Sequence, residues 1–172
     1  MTNFSFANGE QRPEPIHRLI YVSRVRGIPA RHRAIMKDVM TVSIRLNEKV
    51  GITGALLFCG GWFVQALEGA LESVSEVYLR ICADPRHEVL EQLTFSPIIA
   101  REFGHWSMCG SELSDTDAAI VRILSNKGHF DASRLLEQSA LSLLRLVRDL
   151  QTPKSHLEST SSQARITADG AQ

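Results

Sequence analysis

No run of apolar residues in this sequence approaches the roughly 18 that a membrane-spanning helix needs, so no membrane association is expected. The segment Met1 to Pro15 also lacks the apolar core of a secretion signal, and a cytoplasmic setting is expected. Cysteine is scarce. Cys59, Cys82 and Cys109 show no Cys-x-x-Cys spacing, which argues against a disulfide framework or a thiolate zinc site. Neither sign of charge is in excess: 19 basic and 19 acidic residues cancel, so direct nucleic-acid binding through bulk electrostatics is not expected. The stretch Gly51-x-x-Gly54 lacks the lysine and hydroxyl residue of a phosphate loop, and there is no Gly-x-Ser-x-Gly elbow for a serine nucleophile. Asp84 and His87 have no third ligand at helical spacing, so they read as loop residues and not as a metal pair. A hydrophobic content of 44% still suffices for the core of one domain with extra pieces attached.

What is present is a clear order of elements. His17 to Arg24 alternates as a strand, with Leu19, Tyr21 and Ser23 on one face and Ile20 and Val22 on the other. From about Ala30 to Lys49 the period turns helical, placing Met36, Met40, Ser43 and Asn47 along one side and Ile35, Val39, Val42 and Leu46 along the next, until Gly51 stops it. Thr53–Cys59 and Trp62–Glu68 read as a hairpin turning on Gly60-Gly61. In its second strand Phe63, Gln65 and Leu67 share a face opposite Trp62, Val64 and Ala66. Ser73-Val-Ser-Glu76 has the form of a capping box for a second helix that ends before Asp84-Pro85. A strand over Val89–Ser96, a loop at Pro97 and a last strand over Trp106–Gly110, with Trp106 and Met108 on one face, complete the set. The order β-α-β-β-α-β-β predicts an α+β, ferredoxin-like sheet with two helices on one face. Its other face needs a cover. Two further helices are expected to supply it, one capped by Ser114 and ended by Gly128, the next opened by Asp131 with Leu136, Ala140, Leu143, Leu144, Val147 and Leu150 along its apolar side. The expected organisation is a loose arm over 1–15, a domain over 16–111, a helical cap over 112–151 and a disordered tail over 152–172.

The unusual chemistry lies in Tyr21 and Gln65, which put polar ends on otherwise apolar central strands. A buried glutamine must find hydrogen-bond partners. On propensity alone, a satisfied structural pair outweighs a ligand site. A heteroaromatic ligand under the sheet would use the same amide, the same phenol and the same apolar walls.

Five stretches tip that balance: Leu19-Ile-Tyr-Val-Ser-Arg24, Asn47 to Gly54, Phe63-Val-Gln-Ala-Leu-Glu-Gly69, Asp84-Pro-Arg-His87 and Trp106-Ser-Met108. In order and separation, residues 17–110 resemble a BLUF domain, a sensor of blue light using FAD. The resemblance implies non-covalent FAD and no enzymatic activity. It implies that Tyr21 gives an electron and a proton to the excited flavin, and that Gln65 is the switching amide whose changed hydrogen bond shifts the absorption to the red. It places Asn47 at the flavin ring edge and Ser43, Ser23, Trp106 and Met108 in the surrounding shell. Arg80, Asp84, Arg86 and His87 fall on the ribityl and phosphate side. Leu46 stands where relatives often carry Asn or His, so one polar contact is expected to be missing. No catalytic output domain is expected after residue 150. Signalling is therefore expected to pass through the C-terminal region to a homodimer, a higher oligomer or a downstream protein. The rival readings are a light-independent small flavoenzyme and a ferredoxin-like dimerisation module.

Overall fold

The computed structural model describes residues 14–106, 108–112 and 130–151. Strands β1 (Ile16–Val25), β2 (Thr53–Cys59), β3 (Trp62–Ala70), β4 (His87–Ile98) and β5 (Cys109–Glu112) form one sheet in the order β4-β1-β3-β2-β5. The pairings β1–β3, β1–β4 and β2–β3 are antiparallel, and β5 lies parallel to β2. Helix α1 (Pro29–Lys49) joins β1 to β2, and α2 (Leu71–Cys82) joins β3 to β4. Helix α3 (Glu137–Gln151) follows a short 3-10 turn at Ala132–Arg134. The ferredoxin-like order expected from the sequence is therefore present with one strand added.

Period-two alternation divides the core in two. Leu19, Tyr21, Phe63 and Leu67 pack with Met36 and Val39 of α1 and Val74 and Val77 of α2. On the opposite face Ile20, Val22, Val64 and Ala66 pack with Ala140, Leu143, Leu144 and Val147 of α3 and with Phe130. Helix α3 is thus the expected cover. Burying Leu143, Leu144 and Val147 contributes roughly 1.5–3 kcal/mol each, which makes covered sheet more stable than bare sheet. Two local features hold this geometry. Gly60 and Gly61 turn the β2–β3 hairpin with φ of +57° and +81°, the left-handed pair that matches strand twist. Gly54 must remain a glycine because a Cβ there would collide with the Ala66 carbonyl on the paired strand.

Several sequence expectations give way. The Ser73–Glu76 capping box does not form. Helix α2 starts directly after β3 at Leu71 with Ala70 in extended conformation, and the Ser75 hydroxyl bonds back to the Leu71 carbonyl at 2.8 Å. Pro97 lies inside β4, opposite His17, and not in a loop; β4 is an edge strand, the place in a sheet where a proline is tolerated. The last strand is Cys109–Glu112, later than expected. Asp131 caps the 3-10 turn through the Ser133 amide, and α3 begins only at Glu137. Leu136 and Leu150 are exposed at 75% and 61%, so they do not belong to the buried side of α3. Residues 1–13 of the expected arm over 1–15, the helix capped by Ser114 and the tail over 152–172 lie outside the described residues.

Candidate functional site

Tyr21 on β1 and Gln65 on β3 stand directly opposite each other in the strand register. Both are completely or almost completely buried, and the Tyr21 phenol donates a hydrogen bond to Gln65 Oε1. The amide nitrogen Nε2 of Gln65 then faces Met108 Sδ at 3.4 Å. A thioether is a weak acceptor, so this buried amide donates far less than it could. Burial, with Tyr78, Cys82 and Asp84 adding to it, pushes the Tyr21 phenol well above the ordinary tyrosine range. In the ground state Tyr21 therefore keeps its proton.

The pair forms the floor of a slot between α1 and α2. Val39, Val42 and Leu46 make one wall and Val77 and Ile81 the other, around about 590 Å³ of empty space that is partly open to solvent. Ser43 and Asn47 enter from α1 and Arg80 from α2, while Asp84, Arg86 and His87 come from the turn after α2 and the start of β4. Asn47 is buried, and its backbone carbonyl accepts from the Val50 and Ile52 amides at 3.2 and 2.9 Å, which closes α1 at that point. At the turn after α2, Arg86 bonds Asp84 with both Nε and NH2 at 2.5–3.0 Å. Burial alone would raise the Asp84 carboxyl, but the Arg86 bonds and charge outweigh it and hold the group below the usual carboxylate range. The turn therefore presents a neutralised pair. Burial, foremost, lowers the His87 imidazole from its ordinary range, and its Nδ1 meets Ser23 Oγ at 2.9 Å.

The structure thus brings Tyr21, Ser43, Asn47, Gln65, Arg80, Asp84, Arg86 and His87 to one slot. Met108 reaches it through Gln65, and Ser23 reaches it only through His87. Trp106 does not join them. It is half-buried against the cluster beneath α3, on the opposite face from Met108. The period-two count fails here because the chain is not yet a strand: the Trp106 amide bonds Phe103 O at 3.2 Å, and its carbonyl accepts from Gly54 at 3.1 Å.

Sequence reasoning misses Tyr78 as a neighbour of the site. Its ring lies 5.5 Å from that of Tyr21 at 52°, and burial, with Cys82 close by, pushes its phenol up to about 12. The available signal is an aromatic on the inner face of α2, a position that reads equally well as core.

A flat, largely apolar ring with hydrogen-bonding atoms along one edge fits this donor set. Aliphatic walls face each other, and an under-used amide stands at the floor of the slot, which Asn47 and Ser43 also line. Among the described residues no group of histidines, cysteines and carboxylates could hold a metal ion, and no helix is long and apolar enough to cross a membrane.

Comparison with known proteins agrees with that geometry. The family model described as sensors of blue light using FAD, BLUF, matches residues 16–109. The blue light- and temperature-regulated antirepressor BluF of Escherichia coli is 37% identical over 97 residues, 56% of this chain and 23% of that protein. The photoactivated adenylate cyclase subunit alpha of Euglena gracilis is 30% identical over 107 residues, 62% of this chain but only 10% of the relative. Among solved structures, BlsA in its ground state superposes with a TM-score of 0.69 at 25% identity, covering 77% of this chain and 87% of that one. Dark-state BlrB, described as a BLUF protein, superposes with a TM-score of 0.64 at 29% identity, covering 81% and 98%.

Proposed function

Because the chain belongs to the BLUF family, sensors of blue light using FAD, we propose that it is a photoreceptor whose switch is the Tyr21–Gln65 pair and whose chromophore is non-covalent FAD. The observation that carries this reading is the buried Gln65 amide at the floor of the slot, with Tyr21 on its oxygen and the weakly accepting Met108 thioether on its nitrogen. Such a group is stable where a ligand supplies a stronger acceptor. When bound, the isoalloxazine supplies absorption of blue light and oxidising power in its excited state.

The chain's own residues orient that ring and direct the transfer. Asn47 and Ser43 orient the ring edge, and Leu46 takes a wall position without a polar contact. Arg80, Asp84, Arg86 and His87 hold the ribityl and phosphate side. Tyr21 is the donor because an oxidised phenol becomes acidic, and its proton has a ready exit along the bond to Gln65 Oε1. The electron would pass to the excited ring and the proton would follow it through Gln65; both would then return to Tyr21, so no net charge stays in this buried site. Gln65 is left in a different hydrogen-bonding arrangement, with its amide rotated or tautomerised, and that change is the signal. No substrate is turned over. The output passes through residues 106–151 to a second copy of the chain or to a downstream protein, a proposal in keeping with the exposed Leu136 and Leu150 on or beside α3.

The decisive experiment is extraction. Denaturing the purified protein is expected to release FAD, identified by chromatography. A colourless protein that FAD cannot reconstitute would overturn the reading, and release of FMN alone would overturn the choice of cofactor. Because Trp106 packs under α3 and away from Gln65, Trp106→Ala is expected to leave the light-induced red shift intact. Its cost appears instead as about 2 kcal/mol of stability in denaturant unfolding. Loss of the red shift in that variant would restore Trp106 to the switch.

A further inference from the structure

Resting on that photoreceptor reading, we propose that Glu102 is a latch that fastens α3 to the segment carrying Met108, and that the lit state opens it. The carboxylate of Glu102 accepts from Arg145 Nε at 2.6 Å and from Arg145 NH2 at 2.8 Å, a two-pronged bond to the middle of α3. The same carboxylate meets Arg18 NH2 of β1 at 2.9 Å. Arg18 is itself buried and bonded to Glu68 at 2.8 Å, and Glu68 accepts the backbone amides of Glu102 and Phe103 at 3.2 and 3.0 Å. Glu68 shares β3 with Gln65, so one strand carries both the switch and the anchor of the latch.

The polar contacts of α3 are placed to sense movement of this segment. Arg145 lands on Glu102, and the last residue of the helix, Gln151, donates to the Gly110 carbonyl. Met108, the residue that Gln65 Nε2 faces, lies between those two attachment points. The apolar contacts of Leu143, Leu144 and Val147 tolerate a small slide, because dispersion has no direction. A two-pronged arginine–carboxylate bond does not, because both bonds need the carboxylate in plane with the guanidinium. A change of partner at Gln65 that moves Met108 therefore breaks the directional bonds first, with the longer Arg148–Glu102 contact at 4.0 Å weakened alongside, and leaves α3 held chiefly by apolar contact. That gives two discrete states for the signal to bias. Arg145, foremost, keeps the Glu102 carboxyl below its usual range, so the latch stays charged at neutral pH.

The test uses the intact, flavin-loaded protein, with Glu102→Gln and Arg145→Gln beside the wild type. Red shift and amide exchange over residues 137–151 are recorded on the same samples in darkness and under blue light. Both variants are expected to keep the red shift. In darkness their α3 amides are expected to exchange about threefold to tenfold faster than wild type, with little further change on illumination. In the wild type, light alone is expected to produce that acceleration. Unchanged dark exchange in both variants, or identical wild-type exchange in light and dark alongside a normal red shift, overturns the latch and leaves the photoreceptor standing. A wild type without any red shift overturns both.

Discussion

Tyr21→Phe is expected to abolish the persistent red shift entirely while the protein stays yellow. Phenylalanine keeps the ring that fills the core beside Tyr78, so packing and the slot survive. It removes the O–H that Gln65 Oε1 accepts, and with it the proton that must travel with the electron. The cost to stability is that of one buried acceptor losing its donor, about 1–3 kcal/mol, which a folded domain tolerates. Gln65→Leu reaches the same end by the other route: the phenol remains, but no amide is left to change its hydrogen bond. Absorption spectra taken in darkness and just after blue light read both variants directly. A normal, slowly reverting red shift in either one removes that residue from the switch.

The inner-face placement of these two residues is legible in the sequence because strands leave a simple record, whereas their standing opposite each other depends on the β1–β3 register, which no turn between those strands records. Alternation in His17–Arg24 and Trp62–Glu68 assigns each side chain to a face, and the Gly60-Gly61 turn fixes the β2–β3 register. The α1 stripe of Met36, Ser43 and Asn47 is legible for the same reason, since a long run of steady helical period leaves little freedom. The misreadings fall where the period stops. Counting in twos puts Trp106 and Met108 on one face, but both precede β5, and the chain from Arg101 to Trp106 is shaped by tertiary bonds. Arg101 reaches Thr53 Oγ1, the Glu68 carbonyl and the Gly51 carbonyl at 2.6–3.0 Å, contacts between residues far apart in the chain that no local pattern announces. The Ser73 cap fails for a related reason: β3 runs straight into α2, and helix entry is set by the strand's direction, not by a side chain at the end. The buried Arg18–Glu68–Glu102 network also escapes a reading of the sequence, because a charged residue in a strand ordinarily reads as its solvent side.

Ending the chain at Glu112 is expected to produce a flavin-binding protein that no longer stays a dispersed species. Everything that lines the slot lies before that point, between Tyr21 and His87, and Met108 is retained, so flavin binding and the red shift should persist. What disappears is the cover on the other face. Ile20, Val22, Ala55, Leu57, Val64 and Ala66, all fully buried beneath α3 and the turn before it, would meet water together. Losing the burial of Phe130, Leu143, Leu144 and Val147 removes roughly 1.5–3 kcal/mol for each side chain. Together these losses are comparable with the whole stability of an ordinary domain, about 5–15 kcal/mol. A sheet in this position gains most by covering one bare face with another, and contiguous apolar patches of this kind drive association. Arg18 and Glu68 would still pair, but Glu102 would lose Arg145, and the segment that meets Gln65 through Met108 would be held from one side only. Sedimentation over a range of concentrations should show the shortened chain assembling further than the intact one, with thermal unfolding at lower temperature when dilute. A shortened chain that sediments as a monomer at all concentrations, with an unchanged melting temperature, would mean that α3 does not stabilise the sheet it covers.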